Sequence, residues 1–333
     1  MKLLQIPDLG GSEQWRELWK TDYHQYPRYH VPELRAAEAY AAGSRFEPAH
    51  VVAVDRDGPV MGLPLTVERR DGETYLSSYG RPLHVATAEA SDGARRKSAA
   101  TLIMNHLDQL QERTGARGYH LRDFLVDGHL GRLSELVLRA GGRSRAYYTQ
   151  EIDLALPDEA LRKDLRRNHR RILDRPRPQL ALHTVDGADA GPWHRDKLHE
   201  LHRQLRDREV RTPEGWQRVL DCVTGGDGFF VFGEEAGATV AAAYFAVSGR
   251  YCYYGIAAHD REYYGAGLSH LMVWEGVRHA RKLGCRWFEV GERLYPAEHA
   301  ELTEKFHAIS DFKAGFGSRV AVRLDIVKGL QDA

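Results

Sequence analysis

Thr114-Gly115-Ala116-Arg117-Gly118-Tyr119 and Leu283-Gly284-Cys285-Arg286-Trp287-Phe288 read as one junction written twice: the end of a long helical pattern, a glycine, then the start of a strand. Glycine takes a left-handed φ at no steric cost, so it stops a helix and turns the chain. Any helix-to-strand junction can use that device, and the order of the surrounding elements is what gives the echo weight. Before the first copy, Ala49 to Asp55, Val60 to Glu68 and Glu73 to Tyr79 flank Asp57-Gly58 and Asp71-Gly72, which predicts an antiparallel meander. A helix over about Ala94 to Arg113 and a strand over Gly118 to Asp123 follow. Before the second copy, Phe229 to Gly233, Ala238 to Val247 and Tyr251 to Ala257 predict another meander, and Leu268 to Leu283 another long helix. The chain repeats one meander, helix, strand unit.

Working outward, Ser12 caps an amphipathic helix carrying Trp15, Leu18 and Trp19, and Pro32 to Ala42 before Gly43 reads as a second. A helix near Leu130 to Arg139 leads into a strand over Arg145 to Leu154. The second half opens with helices over Pro157 to Leu173 and Trp193 to Arg206. The fold class is α/β (α+β), with two tandem domains, 1–153 and 154–333, each a mixed, largely antiparallel sheet flanked by helices. A length of 333 residues suits two cores of ordinary size.

Hydrophobic residues make up 42% and charged residues 28%, a balance that argues against disorder. Lys+Arg and Asp+Glu both number 47, so no global positive field marks a nucleic-acid binder, and such contact requires a local patch. Cys222, Cys252 and Cys285 lack metal or dithiol spacing and are expected to be reduced core thiols. No metal site is expected. The apolar start is too short for a signal peptide and no window reaches the ~20 apolar residues of a membrane span, so a cytoplasmic protein without membrane insertion is expected.

Several segments resemble the Fem family of aminoacyltransferases, which build peptidoglycan cross-bridges, and their FemAB-like relatives in natural-product pathways. Ser77-Ser78-Tyr79-Gly80-Arg81-Pro82 resembles the family's Ser-Pro-Tyr-Gly loop, and Tyr119-His120-Leu121-Arg122-Asp123 its Phe-Leu-Arg-x-Asp strand. The Arg-rich stretch from Leu161 to Leu173 resembles its basic helix, and Ile309 to Gly317 its terminal Phe-Lys-x-x-Phe-Gly signature. The family's N-terminal Gln-x-x-x-Trp-x-x-x-Lys segment is not evident, and Tyr29-His30-Val31-Pro32-Glu33-Leu34 stands in its place. A nucleotide-linked cell-wall acceptor is therefore not implied. The resemblance implies two tandem acetyltransferase-like (GNAT) domains, charged tRNA as donor with no bound cofactor, and a small-molecule or peptide-like amine as acceptor.

Aminoacyl transfer passes through a tetrahedral oxyanion that needs a positive donor. The resemblance gives that role to Lys313, with Phe312 and Phe316 holding its stem; the alternative is a lysine snorkelling over aromatics. Asp123, at a strand end, is the candidate base, with Glu289 and Glu292 equivalent in the second half, although strand-end carboxylates often cap helices or pair with cations. Tyr79 and Arg81, from the Tyr-Gly loop, and Arg206, Arg208 and Arg211 are candidate acceptor-binding groups. Arg166, Arg167, Arg170 and Arg171 form the core of the densest basic run, suited to tRNA phosphate or, alternatively, a solvated face. Glu262-Tyr263-Tyr264-Gly265-Ala266-Gly267 approximates the turn that cradles the CoA pyrophosphate on a helix N-terminus, but with Glu262 where Gln or Arg belongs. Beside tRNA-dependent aminoacyl transfer, an acyl-CoA-dependent N-acyltransferase and a non-catalytic RNA- or metabolite-binding protein therefore stay open.

Overall fold

The first helix forms where Ser12 accepts a hydrogen bond from the Trp15 N–H at 3.1 Å and Trp15, Leu18 and Trp19 bury one face. A computed structural model describes residues 1–41, 43–206, 209, 211–263 and 265–330. In chain order these form β1 (Lys2–Ile6), α1 (Glu13–Thr21), α2 (Val31–Tyr40), β2 (Arg45–Pro48), β3 (His50–Asp55), β4 (Gly58–Leu63), β5 (Thr66–Arg70), β6 (Glu73–Ser77), β7 (Ala86–Thr87), α3 (Gly93–Thr114), β8 (Tyr119–Asp123), α4 (Arg132–Arg139) and β9 (Arg143–Asp153). There follow α5 (Asp158–Asp164), α6 (Arg167–Leu173), β10 (Leu180–Asp186), α7 (Pro192–Arg206), α8 (Pro213–Thr224), β11 (Gly228–Glu235), β12 (Ala238–Ser248), β13 (Tyr251–His259), α9 (Leu268–Lys282), β14 (Trp287–Glu292), α10 (Glu304–Ala314) and β15 (Arg319–Lys328).

The chain packs as two units. The first holds Met1–Gln25, Tyr29–Tyr147 and the chain from Val322 on; the second holds Tyr26–Arg28 and Tyr148–Ala321. The division thus falls inside β9 and again inside β15, rather than at the single cut after residue 153 expected from the sequence. The reason lies in the last strand. β15 pairs antiparallel with β8, Leu324 opposite Asp123 and Ile326 opposite Leu121, and Ile326 is fully buried in the first core with Ile103, Leu107 and Tyr119.

In the first unit the expected strand over Val60 to Glu68 is two. Pro64 cannot donate a ladder hydrogen bond, and the chain passes there from β4, which pairs with β3, to β5, which pairs with β2 and β6. One sheet has the order β1-β3-β4-β7, and the other ladder runs β2-β5-β6-β8-β15. In the second unit the order is β10-β11-β12-β13-β14-β9, and both faces are covered. Phe229, Val231, Ala243 and Phe245 face the α9 side, whereas Phe230, Phe232, Ala242 and Tyr244 face α7 and α8. Such strands read as continuous apolar runs without alternation. Cys222, Cys252 and Cys285 are buried and form no disulfide, and burial pushes the Cys285 thiol up to about 12.

The repeated junction holds in both units. α3 ends on Gly115 at φ 67°, and β8 then joins β6 in parallel through Leu76 and Tyr119. α9 ends before Gly284 at φ 84°, and β14 joins β13 in parallel from Tyr251 and Trp287. The order also departs from expectation. The helix expected over Pro157 to Leu173 breaks at Leu165 and Arg166, both with extended ψ near 140°, leaving α5 and α6. β10 and α8 form where no element was expected.

An ion pair clamps β15 to β8. Arg122 meets Asp325 through two bonds of 2.7 and 2.9 Å and stacks on Tyr147 at 3.5 Å, and His120 Nε2 lies 3.1 Å from the same carboxylate. Burial alone would raise the Asp325 carboxyl, but the contacts with His120 and Arg122 outweigh it and hold the group well below the usual carboxylate range. A depressed folded-state pKa contributes stability above the ordinary carboxylate pKa, which is lost as pH falls through the folded value. Asp325→Ala, leaving Arg122 buried without its partner, is expected to destabilise the fold by about 3–5 kcal/mol in urea unfolding at neutral pH. The gap from wild type should close only on acidification below the ordinary carboxylate range; equal midpoints at neutral pH would show that the clamp does not hold β15.

Candidate functional site

The site is built in the second unit, where β13 and β14 stop pairing. They are hydrogen-bonded from Tyr251 and Trp287 only as far as Tyr253 and Glu289, and both run on, to His259 and Glu292. Each carries a bulge at the parting. On β13, Gly255 is the extra residue between partners of Tyr244 and Phe245, and it is exposed. On β14, Val290 is the extra residue and Gly291 adopts φ 130°. Bulges re-aim a strand and commonly sit beside sites.

Lys313, in the last turn of α10, lies across Gly291. A Cβ built on Gly291 would stand 2.4 Å from Lys313 Nζ and 3.1 Å from its Cε, so a side chain there would shift the end of this half-buried lysine, and φ 130° favours glycine in any case. Among the described residues the ammonium meets no hydrogen-bond acceptor or carboxylate. The signature around it is a packing device. Ser310 accepts from the Leu294 N–H at 2.8 Å and from Arg293 at 3.1 Å, and Arg293 also reaches Asp311 at 2.7 Å, tying α10 to the chain after β14. A Cβ on Gly315 would lie 2.2 Å from the His169 ring, and one on Gly317 1.8 Å from Gln150. The Phe312 carbonyl accepts from His169 Nε2 at 2.9 Å, and Phe312 and Phe316 pack edge to face at 5.2 Å.

His169, on α6, and His270, in the first turn of α9, meet at 4.4 Å within this aromatic cluster. Burial lowers both, His270 to about 4, so both rings are neutral at pH 7. Neither stands out in the sequence, since a lone histidine in a basic run carries no signal of this contact. The same holds for Tyr26, whose hydroxyl donates to the buried Glu289 at 2.9 Å and whose ring packs on Tyr251 and Tyr253. Glu289 is thus a buried, phenol-bound carboxylate, while Glu292, opposite Thr149, is half-buried.

The basic run is reorganised by the helix break. Arg167, Arg170 and Arg171 join Arg175 and Arg177, with Gly265, around an open cleft of about 930 Å³. Its lining carboxylate, Asp174, is paired with Arg162, leaving the arginines in excess. Arg166 sits at the break, outside that lining, with its backbone N–H on the Gly315 carbonyl at 2.9 Å. Arg177 donates to the Ala266 carbonyl in the turn before α9, and Ile172 and Arg177 close on Gly267, where a Cβ would lie 2.5 Å from Ile172. Glu262 sits in a single 3-10 turn, Arg261–Tyr263, and residue 264 of the turn lies outside the described residues.

The remaining candidates are placed elsewhere. Asp123 is in the first unit, where its two oxygens accept the Leu125 and Gly131 N–H groups at 2.9 and 2.7 Å, the bonding of a loop brace. Tyr79, at φ 54°, bonds His50 through its hydroxyl at 3.2 Å and is pushed up to about 12 by burial; Arg81 pairs with Glu33 at 3.2 Å. Both lie in the first unit. Arg206 is exposed at the end of α7, and Arg211 stacks on Trp216 at 5.3 Å. Arg208 lies outside the described residues. No helix among the described residues is long and apolar enough to cross a membrane.

Residues 159–299, which hold this splayed sheet, match the family described as acetyltransferase (GNAT) domain. The structure of FemX superposes with a TM-score of 0.72 at 12% identity, covering 98% of this chain and 97% of that one. The chain has a Fem-like tandem GNAT fold. L-PGS from Bacillus licheniformis matches with a TM-score of 0.59 at 10% identity over 100% of this chain and 95% of that one. A tandem GNAT protein from the clavulanic acid biosynthesis pathway matches at 0.54 and 14% identity over 100% of both. No curated protein matches the sequence. In this tandem GNAT chain, Gly291→Ala should displace Lys313 from the bulge. Acyl-transfer activity in single turnover is expected to fall at least about tenfold, a loss of ~1.4 kcal/mol of transition-state binding, with the fold retained. Unchanged turnover would show that the seat of Lys313 is immaterial.

Proposed function

We propose that the chain is an acyltransferase that moves an aminoacyl group from charged tRNA to an amine, forming an amide in the cytoplasm. No bound cofactor takes part. The acceptor is a small molecule or peptide. The acceptor nitrogen attacks the ester carbonyl, the new C–N bond forms, the ester C–O bond breaks, and a proton passes from nitrogen to the departing ribose oxygen. The neighbouring ribose hydroxyl of the tRNA can relay that proton, which accords with Asp123 being engaged as a brace. Lys313 supplies positive charge where the oxyanion develops.

The arginine cleft carries the tRNA reading. Five guanidinium groups around about 930 Å³, with the lining carboxylate already paired, offer forked donors to a phosphate backbone on a chain with no net charge. The acyl-CoA reading draws on the exposed Gly255 bulge and the glycine turn at the start of α9, which begins without a side-chain cap. Glu262 at the head of that turn weighs against it.

Lys313→Met should lower single-turnover transfer by about 100-fold or more while leaving tRNA affinity intact. Normal turnover would take Lys313 out of the mechanism, and transfer from acetyl-CoA but not from charged tRNA would select the CoA reading. Replacing Arg167, Arg170, Arg171 and Arg175 by Gln should weaken charged-tRNA binding and flatten its log-log salt dependence by about 0.7–0.9 for each phosphate that is no longer neutralised. A wild-type slope in that variant would reduce the cleft to a solvated face. Tight tRNA binding with no turnover on any donor would mark a binding protein.

A further inference from the structure

The first unit holds a cavity that the chemistry above leaves unused. It has a volume of about 510 Å³ and lies at the C-terminal end of β8, a size suited to a small ligand. Its wall includes the first turn of α4, from Gly131 to Ser134, and that helix begins with no side-chain cap. Uncapped N–H groups attract an anion. Arg96 lines the same cavity, its guanidinium steadied by the Ser91 hydroxyl at 3.0 Å and the Glu89 carbonyl at 2.8 Å.

A second observation points to a ligand independently. His84 lines the cavity and is only 2% exposed, yet its Nε2 has no hydrogen-bond partner; the nearest carboxylate oxygen, Oδ2 of Asp22, is 4.0 Å away. A buried polar atom left without a partner costs roughly 1–3 kcal/mol, so its persistence at a cavity wall marks where a ligand atom would bond. Three carboxylates, Asp22, Asp123 and Asp127, complete the lining. Asp22 is held by the Thr87, Gln25 and His24 N–H groups at 2.7–3.2 Å, and Asp123 by those of Leu125 and Gly131. Each oxygen keeps acceptor capacity after these bonds. Phe124 supplies apolar surface.

We propose that this cavity binds a small zwitterion, an α-amino acid or dipeptide, with its carboxylate toward the α4 N-terminus and Arg96 and its ammonium toward Asp22 and Asp123. Under the transfer reading this ligand is the acceptor, and only that role, not the binding itself, rests on the reading.

The probe is L-alanyl-L-alanine, titrated calorimetrically into the intact chain beside its N-acetyl derivative and its C-terminal amide. Saturable binding near or below about 1 mM is expected, weakened at least about tenfold in both derivatives because each loses one charged end. Gly131→Ser, which gives α4 a neutral cap and sets a Cβ 3.1 Å from the Asp123 carboxylate, should weaken the dipeptide severalfold, and Arg96→Gln should do the same without lowering the melting temperature. Absence of saturable binding, equal affinity for the three compounds, loss confined to one derivative, or wild-type affinity in both variants overturns the proposal. A chain that fails to use charged tRNA yet binds the dipeptide as described would sink the transfer reading and leave this site standing.

Discussion

Three missing β-carbons set the geometry of the second unit. Gly315 lets the α10 terminus reach the His169 ring, Gly317 lets the chain cross Gln150, and Gly291 leaves the groove in which Lys313 lies. Each contact would be a clash with alanine. Interiors transmit such displacements because they are close-packed and do not flow. A methyl group at Gly315 would push α10 off α6, and with it the lysine off the bulge. Residues that look like a catalytic signature are therefore mostly steric, and Lys313 is the one cation among them.

The same contacts explain how neutral histidines come to sit in the basic segment. His169 and His270 give up solvation to pack on Phe312 and Phe316, and burial keeps them uncharged near Arg166 and Arg177. The inner side of α6 is thus free of charge, and its arginines are turned to the cleft. Splitting the expected helix at Leu165 makes this possible, since the extended residues let α6 take a direction of its own.

Much of the architecture was legible from glycine punctuation and apolar runs. Gly115 and Gly284 mark the repeat because a left-handed residue is local chemistry that a sequence shows directly. The runs Phe229 to Phe232 and Val240 to Ala246 announced strands. Long-range effects were not legible. Nothing near Asp325 says that it pairs with Arg122, and nothing local says that Tyr26 belongs beside Glu289. Pro64 could have been read as a break between sheets, because its missing donor is visible in the sequence. Lys313 could be read as a site residue by resemblance, but its seat on Gly291 depends on a bulge that only pairing reveals. Asp123 shows the opposite case, a plausible base whose oxygens brace the loop beside it.

The path of β15 bears on how the protein comes to be made. The first unit takes most of its residues from the chain before Tyr148, yet Asp325 and Ile326, which close its ion pair and its core, follow the whole of the second unit in the chain. Until they emerge, Arg122 lacks its counter-charge and the edge of β8 lacks a partner. An open edge beside exposed apolar surface invites pairing with other chains. Ordinary vectorial folding, in which the leading unit is finished before the trailing one begins, is therefore not available to this topology. The leading unit must wait, incomplete, until the trailing one has been translated.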